Sequence, residues 1–600
     1  MTKKIVWLLL TGLMVVSLVI AACGPAATPT TSTTPTAPTT PATSPTPTTP
    51  TTPTPPVAEK TQQEAVSPDT PKYGGTLTYR ASNDPSAWDP YFGSPGATAG
   101  VVYESLAREN WMTTSRKDWP FTARFAPLDY FAGRLAESWE TSDYQTLTFH
   151  IRKGVHFQNI SPVNGRELTA TDIEYTWHRM LGKGSGYTKP SPYVSLVRLD
   201  KVDSVTATDK YTVVFKMKSS SMSQLRELLD QHFSGGVVPR EAIEKWGDLN
   251  NWQRAIGTGP FIMKDYVAGS SITAVRNPDY WGYDERYPEN RLPYVDMVKI
   301  LLLPDNSTAD AAMRTGKLDI MDSVAWDRLD SLKRNQNLKQ APIPGGFSGL
   351  FVQLDQKPFD DIRVRQALQM SFDLDTLAKT FYGGTVDGTP GGQVMSVYKG
   401  FYTEYTNWPQ EVKDGYAYNP EGAKKLLTEA GYPNGFKTSV TTQSTYVDLL
   451  SIVKDSFSKI GVDMAIDSKE TAAYTAYIAS GKAVMSMAQG IGTPPLPSLS
   501  YFTSAHSLGA PATHLKDADF DALWAKADSS LDVNEQKKLA AEADMYIISH
   551  HYKLTLLPPN SYVIYQPWLK GYQNILLTER YGQVFSRAWI DQGLKQAAGR

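Results

Sequence analysis

One cysteine stands in a chain of 600 residues, at position 23. A single thiol closes no internal disulfide, so the fold must be held by packing alone. Neither sign of charge is in excess, with 59 Lys and Arg against 61 Asp and Glu. That balance supplies no field for nucleic acid or another polyanion, and it argues against a basic membrane-surface protein. Histidine is scarce, at eight residues, and neither an HExxH nor a Cys/His cluster occurs, so no metal site is expected. A GxSxG elbow and a GxxxxGK[ST] phosphate loop are also missing. "SIVK" (Ser451–Lys454) fits SxxK without a KTG partner, a four-residue match that chance supplies readily. "GKGSG" (Gly182–Gly186) lacks the phosphate-loop frame, and "GTGPF" (Gly257–Phe261) and "GGTVDGTPGG" (Gly383–Gly392) mark turns. His550 and His551 are adjacent and point apart on a helix or a strand. No catalytic residue and no cofactor is expected.

Long apolar runs are absent after the N-terminus. The first segment joins a basic "MTKK" to an apolar run, Ile5–Ile20, and then to Ala21 and Ala22. This is the pattern of a secretory signal peptide; the run is slightly short for a membrane span. Ile20-Ala21-Ala22-Cys23 resembles the bacterial lipobox, which implies removal of residues 1–22 and acylation of Cys23 as the mature N-terminus. More than one acyl chain is what stable anchoring requires. Residues 23–71 are then expected to be a lipid-anchored stalk. Almost only Thr, Pro, Ala and Ser follow Cys23, a composition that cannot bury enough apolar surface to fold. Its proline density favours extended chain, and it is a candidate for O-glycans.

The body, from Lys72, has what a large core needs: 41% of the whole chain is hydrophobic and 11% aromatic, including 32 Tyr and 14 Trp. The aromatic excess suits ordinary packing or a ligand cleft. Strand-like and helix-like periodicities alternate, which indicates an α/β chain. "YTVVFKM" (Tyr211–Met217) and "MVKILLL" (Met297–Leu303) read as strands. In "YNPEGAKKLLTEAGYPNGF", Asn419 is an N-cap, Pro420 takes N1, and Ala423, Leu426, Leu427 and Ala430 share a face; Gly431 stops the helix. Thr169 caps another helix with Asp172 three residues on.

Several stretches in order resemble the solute-binding proteins of ABC importers, of the peptide/nickel type. They are "KYGGTLTYRASNDPSAWDPYF", "VVYESL" (Val101–Leu106), "GRLAESWE", "LTFHIRKGVHFQN" (Leu147–Asn159) and "GRELTATDIEYTWHR" (Gly165–Arg179). "IGTGPFIM" (Ile256–Met263), "RNPDYW" (Arg276–Trp281), "KPFDDIRVRQALQMSFD" (Lys357–Asp373), the Asn419 helix and "FSKIGVDMAI" (Phe457–Ile466) follow. The resemblance spans nearly the whole body. It implies a two-lobed α/β periplasmic-binding-protein fold of type II, hinged about a ligand cleft. Its first lobe, with an extra subdomain, would take residues 72–342, its second lobe 346–552, and residues 553–600 would return to the first. It also implies a monomer working with membrane permease subunits, held at the outer face of the cytoplasmic membrane, or in the periplasm of a diderm, by acylated Cys23.

The chain departs from the family at one place. Peptide-binding members commonly carry W-x-x-D-Y-x-x-P, whose Asp pairs with the peptide ammonium, a group costly to bury alone. Aligned on Pro497, Gly490 takes the Trp position and Thr493 the Asp position. Either another acid serves, or the ligand presents no ammonium there. The resemblance implies a ligand-facing loop after "WDP", with Phe92, Gly93 and Ser94 as candidate contacts, opposed by Gly490, Ile491 and Thr493. Three functions stay open at this point. One is an importer receptor, for a peptide or peptide-like ligand in the first place, or for oligosaccharides or another non-peptide solute. Another is a stalked cell-surface hydrolase, which needs a nucleophile–base set or paired carboxylates in the cleft. The third is a structural or adhesive lipoprotein, which would enclose no cleft.

Overall fold

The computed structural model describes residues 70–600 except 94–96, 193, 195–200, 231–235, 335–336, 491–492, 507–512 and 578–579. The leader, Cys23 and nearly all of the stalk lie outside the described residues, as do Ser94 and Ile491.

The body is α/β and two-lobed, each lobe built on its own sheet. The first sheet has seven strands in the order Lys339–Ile343, Ser561–Tyr565, Ile320–Ala325, Thr76–Ala81, Met297–Leu302, Ser271–Arg276 and Phe261–Val267. Thr76–Ala81 runs parallel to Met297–Leu302, from Thr76 opposite Met297 to Ala81 opposite Leu302. Alternation sets the buried face: Val298, Ile300 and Leu302 point inward, as the "MVKILLL" pattern requires.

An antiparallel sheet of four strands forms the subdomain, ordered Ala136–Glu140, Thr146–Ile151, Thr212–Met217 and Val202–Asp209. Val213, Phe215 and Met217 are buried on one face. The helix Ala170–Leu181 covers that face, with Trp177 edge-on to Phe215 at 5.7 Å. Its first turn closes as a capping box, the Thr169 amide donating to Asp172 Oδ2 at 2.9 Å.

The second lobe holds five strands, ordered Asp463–Lys469, Lys437–Gln443, Met485–Gln489, Ser348–Val352 and Lys553–Thr555. Its own core gathers Leu350, Val440, Met464, Met485 and Leu554 with helix residues such as Leu368, Leu427 and Phe457. The expected helix runs Pro420–Glu429; Asn419 Oδ1 accepts from the Gly422 amide at 2.9 Å, and Ala423 and Leu427 are buried.

Two segments join the lobes, 344–347 and 556–560. Ile343 pairs with Ser561 in the first sheet, and Gly349 with Thr555 in the second. The segments touch: a Cβ added at Gly345 would lie 2.8 Å from Pro558 Cβ, so a side chain there would force the crossings apart. The strand Lys553–Thr555 belongs to the second sheet, so the break expected after Tyr552 falls one strand early. Lys553, Leu554 and Thr555 pair with Phe351, Leu350 and Gly349 before the chain returns. Pro342 likewise lies inside the strand Lys339–Ile343, short of the crossing.

His550 and His551 do point apart. His550 stacks on Tyr546 at 4.1 Å, and His551, buried, stacks on Tyr416 at 4.8 Å. Burial, then the charges of Arg365 and His550, push the His551 imidazole down to about 3 from its ordinary 6.5. Between those values the folded protein binds fewer protons than the unfolded chain, so stability falls as pH drops through that window. Urea midpoints at about pH 7 and about pH 4.5 should show the loss, and His551→Phe should reduce it. An unchanged pH dependence in the variant would contradict the assignment.

Candidate functional site

The loop after Trp88 is fixed by charge. Asp89, fully buried, accepts two hydrogen bonds from Arg179, at 2.8 and 2.7 Å, and others from the amides of Leu249 and Tyr91. The Arg179 guanidinium also stacks on Tyr91, 4.6 Å from the ring centre. Phe92 stands edge-on to Tyr91 at 5.1 Å and is 41% exposed, while Gly93 is buried. Tyr91 Oη donates to the carbonyls of Lys189 and Pro190, so this loop belongs to the subdomain side of the first lobe.

On the second lobe, Gly490 ends the strand Met485–Gln489, and its amide donates to the Phe347 carbonyl at 2.9 Å. A Cβ at Gly490 would overlap the Phe347 ring, so the ring takes the space a larger residue would need. Thr493 is half-buried and leads into Pro494–Pro497.

Those prolines line a pocket that both lobes build. Phe125, Leu128 and Met222 come from the first lobe; Phe401, Pro494–Pro497 and Val533 come from the second. The charges beside it are paired. Arg226 Nη1 donates to Glu227 Oε1 at 2.7 Å, while Nε and Nη2 donate to the carbonyls of Ala126 and Arg124.

Next to the pocket a strap, residues 391–401, spans the lobes. Its root is held in the second lobe. Asp544 Oδ1 accepts from the amides of Gln393 and Val394, at 2.7 and 3.1 Å. Lys553 Nζ donates to the Gly392 carbonyl at 2.9 Å and to Gln393 Oε1 at 3.2 Å, and lies 5.5 Å from the Phe347 ring centre. Burial pushes the Asp544 carboxyl up and the Lys553 ammonium down, each countered by the other's charge. The tip of the strap reaches the first lobe. Tyr398 stacks on Trp119 at 6.2 Å and 8° and meets Phe125 edge-on at 5.3 Å. Phe401 meets Phe125 at 5.3 Å, and Lys399 Nζ donates to the Lys117 carbonyl.

The expected contacts therefore fall in two places, Phe92 and Gly93 beside the subdomain and Gly490 and Thr493 on the second lobe; none of them lines the pocket, though Thr493 directly precedes the prolines that do. Trp119, Phe125, Met222, Tyr398 and Phe401 had no motif to mark them; the aromatic-rich "WPFTARF" was the only local signal. Ser451, the serine of the SxxK match, sits on the helix Val447–Ser458 and donates to the Val447 carbonyl. Among the described residues, no group of three His, Cys, Asp or Glu side chains could hold a metal ion. No helix among them is long and apolar enough to cross a membrane.

Residues 131–511 match the family model for bacterial extracellular solute-binding proteins, family 5 Middle. Heme-binding protein A of Haemophilus influenzae is 26% identical over 458 residues, 73% of this chain and 81% of that protein. The dipeptide-binding protein of Escherichia coli is 27% identical over 425 residues, 66% of this chain and 72% of that protein. Among solved structures, the DppA periplasmic binding protein from Helicobacter pylori, in complex with peptide STSA, superposes with a TM-score of 0.67. It is 25% identical, covering 87% of this chain and 99% of its own. HbpA2 from Haemophilus parasuis shares the fold with a TM-score of 0.70 at 21% identity, covering 86% and 100%.

Proposed function

Because the chain belongs to the bacterial extracellular solute-binding proteins of family 5, we propose that it is the lipid-anchored receptor of an ABC importer, capturing a peptide-like ligand between its lobes. The observation that carries this reading is the pocket lined by both lobes, beside which Tyr398 of the strap stacks on Trp119 and meets the lining residue Phe125. A site divided between two hinged bodies is completed only when they close. Ligand docks on one lobe; the other closes, excludes water, and strengthens the polar contacts it makes in the lower dielectric. The closed form is what the permease distinguishes. Acylated Cys23 and the Thr/Pro stalk keep the receptor near the permease at high effective concentration, on the outer side of the cytoplasmic membrane.

Phe92, Gly93, Ser94, Gly490, Ile491 and Thr493 are proposed as ligand-facing positions on the two walls. The peptide named with the Helicobacter structure and the dipeptide named for the Escherichia relative support a peptide over an oligosaccharide. The hydrolase reading has no support in the pocket, whose charged side chains, Arg226 and Glu227, pair with each other. Thermal-shift screening of the purified protein tests the assignment, because bound ligand stabilises by RT ln(1 + [L]/Kd). Short peptides should raise Tm and remain uncleaved. A shift with cello-oligosaccharides and none with peptides, or turnover of the peptide, would overturn it.

A further inference from the structure

We propose that Lys553 and Asp544 are positioning residues for ligand capture: buried in the second lobe, they clamp the root of the strap, and through it they set where Tyr398 meets the first lobe. The proposal rests on the receptor reading above and adds to it the device that holds the seam in register.

The clamp acts on both polarities of the chain. Every residue of the strand Lys553–Thr555 is buried, so the Lys553 ammonium ends away from bulk water. Its two acceptors are uncharged, the Gly392 carbonyl at 2.9 Å and Gln393 Oε1 at 3.2 Å. Asp544 reaches the same stretch from the helix Val533–Ser549, and its Oδ1 accepts from the amides of Gln393 and Val394. Asp544 Oδ2, also buried, has no hydrogen-bond partner among the described residues, which leaves the carboxylate charge to balance Lys553. A buried charge is costly unless dipoles or an opposite charge compensate it. Lifting the strap would take both acceptors from Lys553 and both donors from Asp544, so the pair holds the strap down.

The same root is tied to the pocket and to the hinge. Gln393 spends every polar group it has: its side-chain amide donates to Ser498 Oγ at 3.0 Å, and its carbonyl accepts from that hydroxyl at 3.1 Å. Ser498 lies on the helix Pro495–Leu499, whose prolines line the pocket. Gly392 passes so close to Asp544 that an added Cβ would lie 2.1 Å from Oδ2. Lys553 Nζ lies 5.5 Å from the ring centre of Phe347, a residue of the crossing 344–347. Strap, pocket wall and hinge crossing therefore meet at one buried cation, and Tyr398 carries that register to Trp119 and Phe125.

Spin labels at Ser396→Cys on the strap and Lys454→Cys elsewhere on the second lobe, both exposed, test the clamp without ligand in a Cys23→Ser background. Double electron–electron resonance should give a narrow distance distribution with Lys553 in place and a broad one in Lys553→Met. A lysine that is only structural would lower Tm and leave the distribution narrow, and that result would overturn the proposal. If Lys553→Met fails to fold, Lys553→Met with Asp544→Asn, which leaves no lone buried charge, is measured in its place. Calorimetric titration with a short peptide adds the functional readout. Lys553→Met should lower affinity roughly tenfold in the natural chain and less than about twofold in a Tyr398→Ala chain, because the strap then carries no contact to lose. Equal losses in the two backgrounds would also overturn the proposal. A broadened strap in a protein that binds no peptide would defeat the receptor reading and leave the clamp standing.

Discussion

Arg179→Ala should destabilise the protein by about 3–5 kcal/mol, the cost of leaving a buried carboxylate without its cation. Asp89 has no exposed surface, and its Arg179 contact is bidentate. The loss reaches the site as well as the core. Arg179 stacks on Tyr91, Tyr91 positions Phe92, and Asp89 also holds the amides of Tyr91 and Leu249. Urea denaturation measures the stability, and ligand titration measures the loop. The pair Asp89→Asn with Arg179→Met should recover part of the lost stability, since no unpaired charge then remains buried. A single-variant cost below about 1 kcal/mol would mean that the pair is solvated and does not organise the loop.

Tyr398→Ala should lower ligand affinity by roughly 100- to 1000-fold or more. Truncating a buried aromatic costs about 3–5 kcal/mol, and each 1.4 kcal/mol is tenfold in an equilibrium constant. The ring's partners, Trp119 and Phe125, lie on the other lobe, so the cost falls on the closed form. Tyr398→Phe keeps the ring and should retain most of the affinity. Titration of both variants with the same peptide checks this. Affinity unchanged in Tyr398→Ala would show that the strap is not part of the seam that ligand binding closes.

Local features were legible in the sequence where local physics decides them. The Asn419 cap, the Thr169–Asp172 box and the alternation in "MVKILLL" each need only a few neighbouring residues, and each folds as its pattern requires. The end of the second lobe was not legible, because "KLTLLPP" is equally apolar on either side of the crossing. Only the pairing of Leu554 with Leu350 assigns the strand. The pocket was less legible still. Phe125, Met222, Phe401 and Pro494 lie far apart along the chain, and no periodicity links residues that meet only through tertiary packing. Gly490 showed which residue was missing; the Phe347 ring that fills its space could be found only in three dimensions.

The central claim is that ligand closes one lobe on the other across this seam. Asp129 and Asn534 are exposed beside Leu128 and Val533, on opposite sides of the pocket. The chain's one cysteine is Cys23, so spin labels at Asp129→Cys and Asn534→Cys in a Cys23→Ser background would be unique. Double electron–electron resonance should give a longer or mixed distance distribution without ligand and a single short one with saturating peptide. One distribution, unchanged by a peptide that calorimetry shows to be bound, would contradict the account.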